Sequence, residues 1–379
     1  MNRKNKVIII TSHFHPNVGG VETHLNDLVR ALVKRNWKVI VSTYQPLAKN
    51  EKAYGLEKGR GYEVHRMGWI GFNLAHRLFK YPLLEFLYLV PGLFIQTLVV
   101  LLKNNDTKVV HAQGLAPAVT GLILARMFGK RAIVSTHNLY FFPKTGLYTK
   151  FSKFIFSSFD AVLTLSNASS KELIRIGVPE TKIRPFRYWL DLKLFSRGNK
   201  VVIKKNLGLS NKFTALFVGR LIETKGTLLI LEIARHLPNI LFVIVGLGPL
   251  EQMVKNFAEK HSNLQYVGPL SQGLVRDYMN ACDIVLVPSL VAEGYGRVAM
   301  EAIACGTPVL AARIGGLDEV VNNNVGQLVE PKAIYYEKAL RDLVRNKNKL
   351  EKLKKNTHPY AVKKFSVSNV KMILSAYEK

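Results

Sequence analysis

Two carboxylates and two glycines stand close together between Glu293 and Pro308, where the chain reads E-G-Y-G-R-V-A-M-E-A-I-A-C-G-T-P. Gly294 and Gly296 let the backbone approach a ligand, and a helix after them would point its free N–H groups and positive dipole end at an anion. Glu293 and Glu301 are eight residues apart, so both carboxylates can face one cleft and accept hydrogen bonds from hydroxyl groups. Alternatively, the glycines only turn the chain and Glu301 is a solvated helix residue.

Two cations flank another loop between a strand and a helix, Gly219–Gly226, which reads G-R-L-I-E-T-K-G. Arg220 follows the strand, and Lys225 stands at the start of the next helix. An arginine can fork two phosphate oxygens while a lysine acts as a point charge, so this loop predicts a clamp for a diphosphate. The alternative is solvated surface charge.

The N-terminal half has candidates at the ends of two expected strands. Gly19 and Gly20 close the loop H-F-H-P-N-V-G-G just before a helix, where backbone N–H groups commonly meet phosphate. His137 directly follows the strand Ala132–Thr136 and is expected to point into the crevice at the carboxyl ends of the strands. The alternatives are a plain turn, since the loop lacks the G-x-G-x-x-G pattern, and a hydrogen-bonded structural histidine.

Two further loops are candidates for contact with a ribose or a base. The run V-G-L-G-P places Gly246 and Gly248 directly after a strand, where missing side chains leave room for a ligand. The loop Gly268–Ser271, which contains Leu270, would present backbone groups to the edge of a base. Plain turns explain both loops equally well.

Apolar, strand-like runs alternate with helix-like runs along the chain, which predicts an α/β fold of doubly wound, Rossmann-like domains. In the first half, strands are expected at Lys6–Thr11, Val39–Thr43, Tyr62–Arg66, Lys108–His111, Ala132–Thr136 and Ala161–Leu165. In the second half, they are expected at Thr214–Val218, Leu241–Val245, Leu264–Val267, Ile284–Pro288 and Val309–Ala312. The alternation breaks at Arg184–Phe195, which we interpret as a linker between two domains of ordinary size.

The chain of 379 residues is strongly basic, with a formal net charge of +28 spread over both halves. Such a charge favours anionic partners, namely nucleic acid, anionic lipid headgroups or phosphorylated substrates, unless it only reflects a proteome that is generally basic. The two cysteines are too few for a disulfide framework, and no signal peptide precedes the strand that begins near Val7. We therefore expect a cytoplasmic protein.

One segment, Leu83–Leu102, is long and apolar enough to span a bilayer. Glu85, Gln96 and the Pro91-Gly92 pair interrupt it, and an expected strand follows within a few residues. We favour a helix that packs in an α/β domain or rests partly on a membrane, with a membrane span as the alternative.

The motifs together resemble the retaining glycosyltransferases of family 4. The resemblance covers nearly the whole chain and includes G-G-V-E-T-H, the His137 strand end, G-R-L-I-E-T-K-G, V-G-L-G-P, A-C-D-I-V-L-V-P-S and the E-x7-E stretch, all in family order. It implies the GT-B fold, in which two Rossmann-like domains face a central cleft. It places the domains at residues 1–188 and 189–361, with a C-terminal helix of about 362–379 crossing back to the first. The implied reaction transfers a hexose-type sugar from a nucleotide diphosphate sugar, with retention at the anomeric carbon.

The resemblance also assigns roles to the C-terminal motifs. Arg220 and Lys225 would hold the diphosphate and stabilise the leaving charge. Glu301 would bind the ribose hydroxyls. Glu293 would touch the donor sugar, close to the N–H groups of Tyr295 and Gly296, while Gly294 belongs to the same loop.

In the first domain, the resemblance has Gly19 and Gly20 close over the phosphate and sugar, and His137 hydrogen-bond the donor sugar. One departure concerns the linker, where many family members carry P-N-G-V-D and this chain has Arg187–Asp191. Asp191 is kept but the usual Asn-Gly pair is absent, which leaves the linker geometry open.

The sequence contains no D-x-D pair, so we expect neither a metal nor a cofactor. The resemblance implies a donor linked to UDP or GDP. The expected partners are the nucleotide sugar, a glycan or lipid-linked acceptor and the anionic inner face of the cell membrane, with no nucleic acid. Two alternatives stay open: a nucleotide-sugar epimerase of the same architecture, and a basic nucleic-acid-binding protein, for which no basic-aromatic recognition motif is seen.

Overall fold

The computed structural model describes residues 5–17, 19–47, 52–69, 74, 78, 81–137 and 139–378. Val18 and Asn138, which belong to loops that the sequence places beside candidate site residues, lie outside this set. The chain divides into two compact units, the first made of residues 1–189 and 367–379 and the second of residues 190–366.

The first unit alternates strands and helices from its start. Its strands are β1 (Lys6–Ile10), β2 (Lys38–Tyr44), β3 (Leu56–Gly59), β4 (Tyr62–Met67), β5 (Val109–Gln113), β6 (Arg131–Thr136), β7 (Ala161–Thr164) and β8 (Ile183–Pro185). Its helices are α1 (Gly20–Val33), α2 (Pro82–Lys103), α3 (Leu115–Met127), α4 (Leu147–Ser157) and α5 (Asn167–Arg175), joined by a helix from the chain's end, Val370–Glu378.

The eight strands form one sheet in the order β3-β4-β2-β1-β5-β6-β7-β8. The pairing is parallel throughout except between β3 and β4, and Val7 of β1 pairs with Val39 on one side and Val109 on the other. Continuous apolar strands such as Lys6–Ile10 are fully buried, as expected for a parallel sheet covered on both faces. The chain runs from β1 to β2 on one side and returns through β5 on the other, so the topology switches between β1 and β5.

The second unit repeats this logic. Its strands are β9 (Thr214–Val218), β10 (Leu241–Val245), β11 (Leu264–Gly268), β12 (Ile284–Val287), β13 (Val309–Ala312) and β14 (Gly326–Val329). Its helices are α6 (Lys200–Asn206), α7 (Thr227–His236), α8 (Glu251–Lys260), α9 (Gln272–Ala281), α10 (Arg297–Ala304), α11 (Leu317–Val320), α12 (Ala333–Arg345) and α13 (Lys347–Lys364). The last helix of the chain, Val370–Glu378, which belongs to the first unit, is numbered α14. The strands form a parallel sheet in the order β11-β10-β9-β12-β13-β14.

The structure differs from the sequence-based expectation at the C-terminus. In place of one helix of about 362–379, α13 ends at Lys364 and α14 begins at Val370, and residues 362–366 belong to the second unit. The buried Phe365 lies in this break, with its N–H bonded to the Ala361 carbonyl. The α14 helix packs in the first unit, where the Tyr377 hydroxyl lies 2.7 Å from His111 Nδ1.

The apolar segment noted in the sequence is helix α2, and one of its faces packs in the core of the first unit. The Tyr44 hydroxyl of β2 donates to the Leu89 carbonyl at 2.8 Å, and the Ser42 and Thr97 hydroxyls lie 2.8 Å apart. By length and composition Leu84–Lys103 could cross a membrane, but its contacts with the sheet make it part of the folded domain.

Candidate functional site

The second unit brings its two charged motifs together where the topology of its sheet switches. From β9 the chain continues to β10 and β11 on one side, whereas β12, on the other side of β9, leads to β13 and β14. The loops after β9 and β12 are therefore neighbours. Lys225 Nζ donates a hydrogen bond of 2.7 Å to Glu293 Oε1 across a separation of 68 residues. A cation and a carboxylate thus meet at the edge where parallel sheets bind ligands.

The protein fixes the Glu293 carboxylate with more than the lysine. The Ser289 hydroxyl also donates to Glu293 Oε1, and the Gly316 N–H donates to the Glu293 carbonyl at 2.8 Å. The Leu290 N–H donates to the Thr224 carbonyl at 2.9 Å, which ties the two loops together. The lysine and the carboxylate are therefore preorganised by backbone contacts.

Arg220 lies on the same loop as Lys225, directly after β9, and is exposed. No carboxylate lies within 4.0 Å of its guanidinium among the residues that the structure describes. The backbone beneath it is held by the Leu221 N–H, which donates to the Leu247 carbonyl at 2.8 Å. An exposed arginine and a partly exposed lysine on one loop can meet the oxygens of a diphosphate together.

Two glycines allow the neighbouring loops to approach this closely. Gly226, before α7, has a left-handed φ of 79°, and a Cβ there would lie 2.1 Å from the Pro288 carbonyl oxygen. Gly246, after β10, has a φ of 140°, and a Cβ would lie 1.8 Å from the Gly219 carbonyl oxygen. Any side chain at either position would push the loops apart, so both glycines have a structural role whether or not a ligand is bound.

The loops after β10 and β11 lie side by side next to the basic loop. A Cβ on Gly248 would lie 2.4 Å from the Leu221 carbonyl oxygen, and the Gly246 N–H donates to the Gly268 carbonyl at 2.9 Å. Leu270 is partly exposed just before α9. Contact of these loops with a ribose or a base stays a prediction.

Helix α10 holds the second carboxylate of the E-x7-E stretch. Gly296 precedes it with a left-handed φ of 74°, and Tyr295 beside it is buried. Glu301 lies on the second turn, where its carboxylate accepts from Arg297 Nε at 2.9 Å, with both side chains about nine-tenths buried. Burial and the nearby Glu301 charge raise the pKa of Cys305. Glu301 is thus a paired, oriented carboxylate, which disagrees with the alternative of a solvated helix residue.

In the first unit, His137 follows β6 and is buried in a hydrogen-bonded network. Its Nε2 lies 2.6 Å from Gln113 Oε1, and its Nδ1 lies 2.8 Å from the Tyr188 hydroxyl. An amide oxygen can only accept, so Nε2 carries the proton and Tyr188 donates to Nδ1. Burial lowers the pKa of His137 to about 3, so the ring is neutral at physiological pH.

Aromatic rings surround this histidine. The His24 ring of α1 stacks on Tyr188 with centroids 3.9 Å apart, and Trp189 meets His24 edge-on at 4.8 Å. Tyr188 and Trp189 occupy the linker positions at which the sequence departs from the family pattern, so the departure forms a buried aromatic cluster. Gly19, with an extended φ of −177°, precedes α1, and Gly20 is the first residue of that helix.

The structure groups the sequence-predicted residues by unit. The second unit holds Arg220, Lys225, Gly246, Gly248, Leu270, Glu293, Gly294, Tyr295, Gly296 and Glu301, and the first holds Gly19, Gly20 and His137. The sequence analysis did not single out the side chains that hold these residues in place, which are Gln113, Tyr188, Ser289 and Arg297. Only the i,i+4 spacing of Arg297 and Glu301 could have revealed one of them in advance.

Comparisons with known proteins agree with this arrangement. The model of the family "Glycosyltransferase Family 4" matches residues 18–193, and that of "Glycosyl transferases group 1" matches residues 200–358. The chain is 26% identical over 347 residues to a phosphatidylinositol N-acetylglucosaminyltransferase protein of Arabidopsis thaliana, covering 86% of this chain and 72% of the plant protein.

Solved structures share the fold over nearly the whole length. A sucrose-phosphate synthase from Thermosynechococcus elongatus superimposes with a TM-score of 0.82 at 21% identity, covering 98% of this chain and 97% of that one. The Anabaena protein HepE in complex with UDP and glucose gives a TM-score of 0.75 at 19% identity, with 98% of each chain covered. The two family models agree with the two Rossmann-like domains and with the GT-B fold of the solved neighbours. The chain therefore belongs to the group 1, family 4 glycosyltransferases and is an enzyme of the GT-B fold.

Proposed function

We propose that this glycosyltransferase moves a hexose-type sugar from a UDP- or GDP-linked donor to a glycan or lipid-linked acceptor, with retention at the anomeric carbon. The observation that carries the proposal is the Lys225–Glu293 pair at the switch point of the second sheet, beside the exposed Arg220. These are the groups that binding of a diphosphate sugar requires: cations for the phosphates and a carboxylate for the sugar hydroxyls.

The leaving nucleoside diphosphate gains negative charge as the bond to the anomeric carbon breaks. Arg220 and Lys225 stabilise that charge, and Lys225 turns from Glu293 to a phosphate oxygen when the donor enters. The exchange leaves Glu293, still bonded to Ser289, free to accept from a sugar hydroxyl. Because the two cations supply the positive charge and the sequence has no D-x-D pair, the reaction needs no metal.

Groups that are neutral or already paired orient the donor. Glu301, held by Arg297, accepts from the ribose hydroxyls, and the loops at Gly246 and Leu270 border the base. His137 donates its Nε2–H to a donor hydroxyl in place of Gln113 Oε1. Since its pKa is near 3, His137 acts as a neutral hydrogen-bond donor and not as an acid–base catalyst.

A lipid-linked acceptor is supported by the Arabidopsis relative, whose name describes transfer of N-acetylglucosamine to phosphatidylinositol. The UDP of the Anabaena neighbour supports a uridine donor over a guanosine one. The location that fits a lipid-linked acceptor is the cytoplasm, with peripheral attachment to the inner face of the membrane.

The test is hydrolysis of nucleotide sugars without acceptor, measured for a panel of UDP- and GDP-hexoses. The wild-type enzyme is expected to release nucleotide slowly from one of them, and chelation of divalent metals should leave the rate unchanged. The Lys225→Ala variant is expected to lose about 100- to 1,000-fold in kcat/KM, the cost of removing one donor that stabilises developing charge.

The matched control is Lys338→Ala, an exposed lysine on α12 of the same unit, which should retain full activity. Full activity of Lys225→Ala would overturn the proposal. Conversion of the donor into an epimer without nucleotide release would instead assign the enzyme to the epimerase alternative. With an acceptor at hand, the anomeric configuration of the product, read by NMR, tests retention.

A further inference from the structure

Helix α2 has an exposed stripe that contains no polar residue. The positions that face away from the sheet are Leu84, Leu87, Pro91, Ile95, Val99 and Leu102. They recur every three or four residues, so they form one continuous face, roughly 27 Å long at 1.5 Å of rise per residue. The opposite face is buried in the core of the first unit through Leu89, Leu93 and Leu101. A helix on the surface of a water-soluble domain normally turns a polar face outward, and α2 does not.

Helix α4 extends this apolar face with aromatic side chains. Phe151 of α4 meets Phe86 of α2 edge-on, with ring centroids 5.8 Å apart, so the two helices are in contact. Leu147, Phe151 and Phe154 of α4 are exposed and lie three or four residues apart on one side. Exposed contiguous apolar surface of this extent marks an interaction site.

The stretch of chain that contains α4 carries charge of one sign. Between Asp106 and Asp160 the chain contains seven lysines and arginines and no acidic residue. Lys144, Lys150 and Lys153 are exposed, and the last two interleave with the exposed phenylalanines of α4. The one acid in α2 is Glu85, and burial raises the pKa of that carboxyl.

We propose that the face formed by α2 and α4, with its exposed leucines, phenylalanines and lysines, seats the first unit in the interface of an anionic lipid bilayer. Apolar side chains from a helix lying in the membrane plane enter the boundary between headgroups and acyl chains, while lysines bind the anionic headgroups. A protein partner would equally cover the apolar stripe, but the exposed lysines of α4, in a stretch of chain without acidic residues, match a negatively charged lipid surface. The proposal deepens the lipid-linked acceptor of the proposed function by naming the surface that meets the lipid.

The experiment is co-sedimentation of the full-length protein with phosphatidylcholine vesicles, prepared with and without phosphatidylglycerol, and without any nucleotide. The wild type is expected to bind the anionic vesicles and to bind neutral ones far less. The Leu87→Gln/Ile95→Gln double variant should lose at least about tenfold in partitioning, because both side chains leave the apolar phase. The matched control is Ile334→Gln/Val202→Gln in the second unit, where Ile334 has the same exposure as Leu87, 64%.

The electrostatic part is tested with Lys150→Gln/Lys153→Gln against Lys338→Gln. The double variant should bind anionic vesicles about tenfold more weakly at low ionic strength, and the difference should shrink as salt screens the charges. Unchanged melting curves show that these exposed substitutions leave the fold intact.

Three results would overturn the proposal: no binding of the wild type to anionic vesicles, equal binding of the Leu87→Gln/Ile95→Gln variant, or a dimer seen by light scattering that this variant abolishes. The last would assign the face to a second copy of the chain. Vesicle binding requires no donor, so a failure here is distinct from a failure of the proposed donor chemistry.

Discussion

The candidate site residues are charged in the second unit and neutral in the first. In the second unit the side chains are charged and paired, as Lys225 with Glu293 and Arg297 with Glu301. In the first unit, His137 is a buried, neutral ring between Gln113 and Tyr188. A partly exposed ion pair can exchange one partner for a ligand at small cost, whereas a buried neutral network cannot supply charge. We therefore expect charge compensation from the second unit and only neutral hydrogen bonds from the first.

A second buried group in each unit shows the same contrast between neutral and charged side chains. His111, buried beside His137, lies between Ser135 and Tyr377, and burial lowers its pKa to about 3. In the second unit, Asp283 meets Lys200 and Lys354 and accepts from the Thr214 N–H at 2.9 Å. Burial would raise the pKa of Asp283, but the two lysines hold it below its ordinary value. At these buried positions the first unit thus holds neutral groups and the second holds paired charges.

The largest effect that this comparison predicts is acid destabilisation of the first unit. The unfolded chain protonates histidine below a pKa of about 6.5, while His111 and His137 stay neutral in the folded chain until about pH 3. The stability that these two neutral histidines contribute is thus fully present above about pH 6.5. It falls as the pH decreases, by about 1.4 kcal/mol per pH unit for each histidine. At about pH 5 the free energy of unfolding has fallen by about 4 kcal/mol for the two histidines together.

The tryptophans make this measurable for one unit at a time. Trp37, Trp69 and Trp189 all belong to the first unit, so tryptophan fluorescence follows its unfolding alone. Asp283 loses its stabilising contribution only below the pKa of an unfolded aspartate, about 3.9. Unfolding of the second unit, seen by far-UV circular dichroism as a transition later than the one that tryptophan reports, should therefore barely change over the same pH range. In His137→Gln the acid slope should fall by half. Equal slopes in wild type and variant would contradict the assignment of a neutral, buried His137.

The next effect tests whether charge in the second unit is what the reaction uses. Glu293→Gln keeps a hydrogen-bond acceptor for Lys225 and Ser289 but removes the negative charge. We expect a loss of about 10- to 100-fold in kcat/KM, as for a lost charge-assisted hydrogen bond of about 1.5–3 kcal/mol. The control is Glu223→Gln, at an exposed glutamate of the loop that carries Lys225, which should leave kcat/KM unchanged. If both variants kept full activity, the paired carboxylate would have no role in catalysis.

Most of the fold could be predicted from the sequence, because buried parallel strands are continuous apolar runs. The bounds of β9, β10 and β13 agree residue for residue with expectation. The short strands β3, β8 and β14 were missed, since three or four partly exposed residues carry no pattern of their own.

The site was only partly predictable for a different reason. The sequence places Lys225 and Glu293 in two loops, but only the strand order, with β9 next to β12, shows that the loops meet. Tyr188 was seen merely as a departure from a family turn. Its contact with His137 spans 51 residues, and no local pattern encodes such a contact.

The smallest effect concerns Tyr188, where the neutral network of the first unit meets the linker. Tyr188→Phe keeps the ring that stacks on His24 but removes the hydroxyl that donates to His137 Nδ1. The buried Nδ1 loses its donor, so the tryptophan-reported stability should fall by about 1–2 kcal/mol. The ¹⁵N shifts of the His137 ring should also change from one tautomer to a mixture, which a purely packing role would not cause. Tyr54→Phe, at an exposed tyrosine of the same unit, is the control and should alter neither quantity. Unchanged ring shifts in Tyr188→Phe would mean that Gln113 alone fixes the tautomer, and the linker tyrosine would then only fill space.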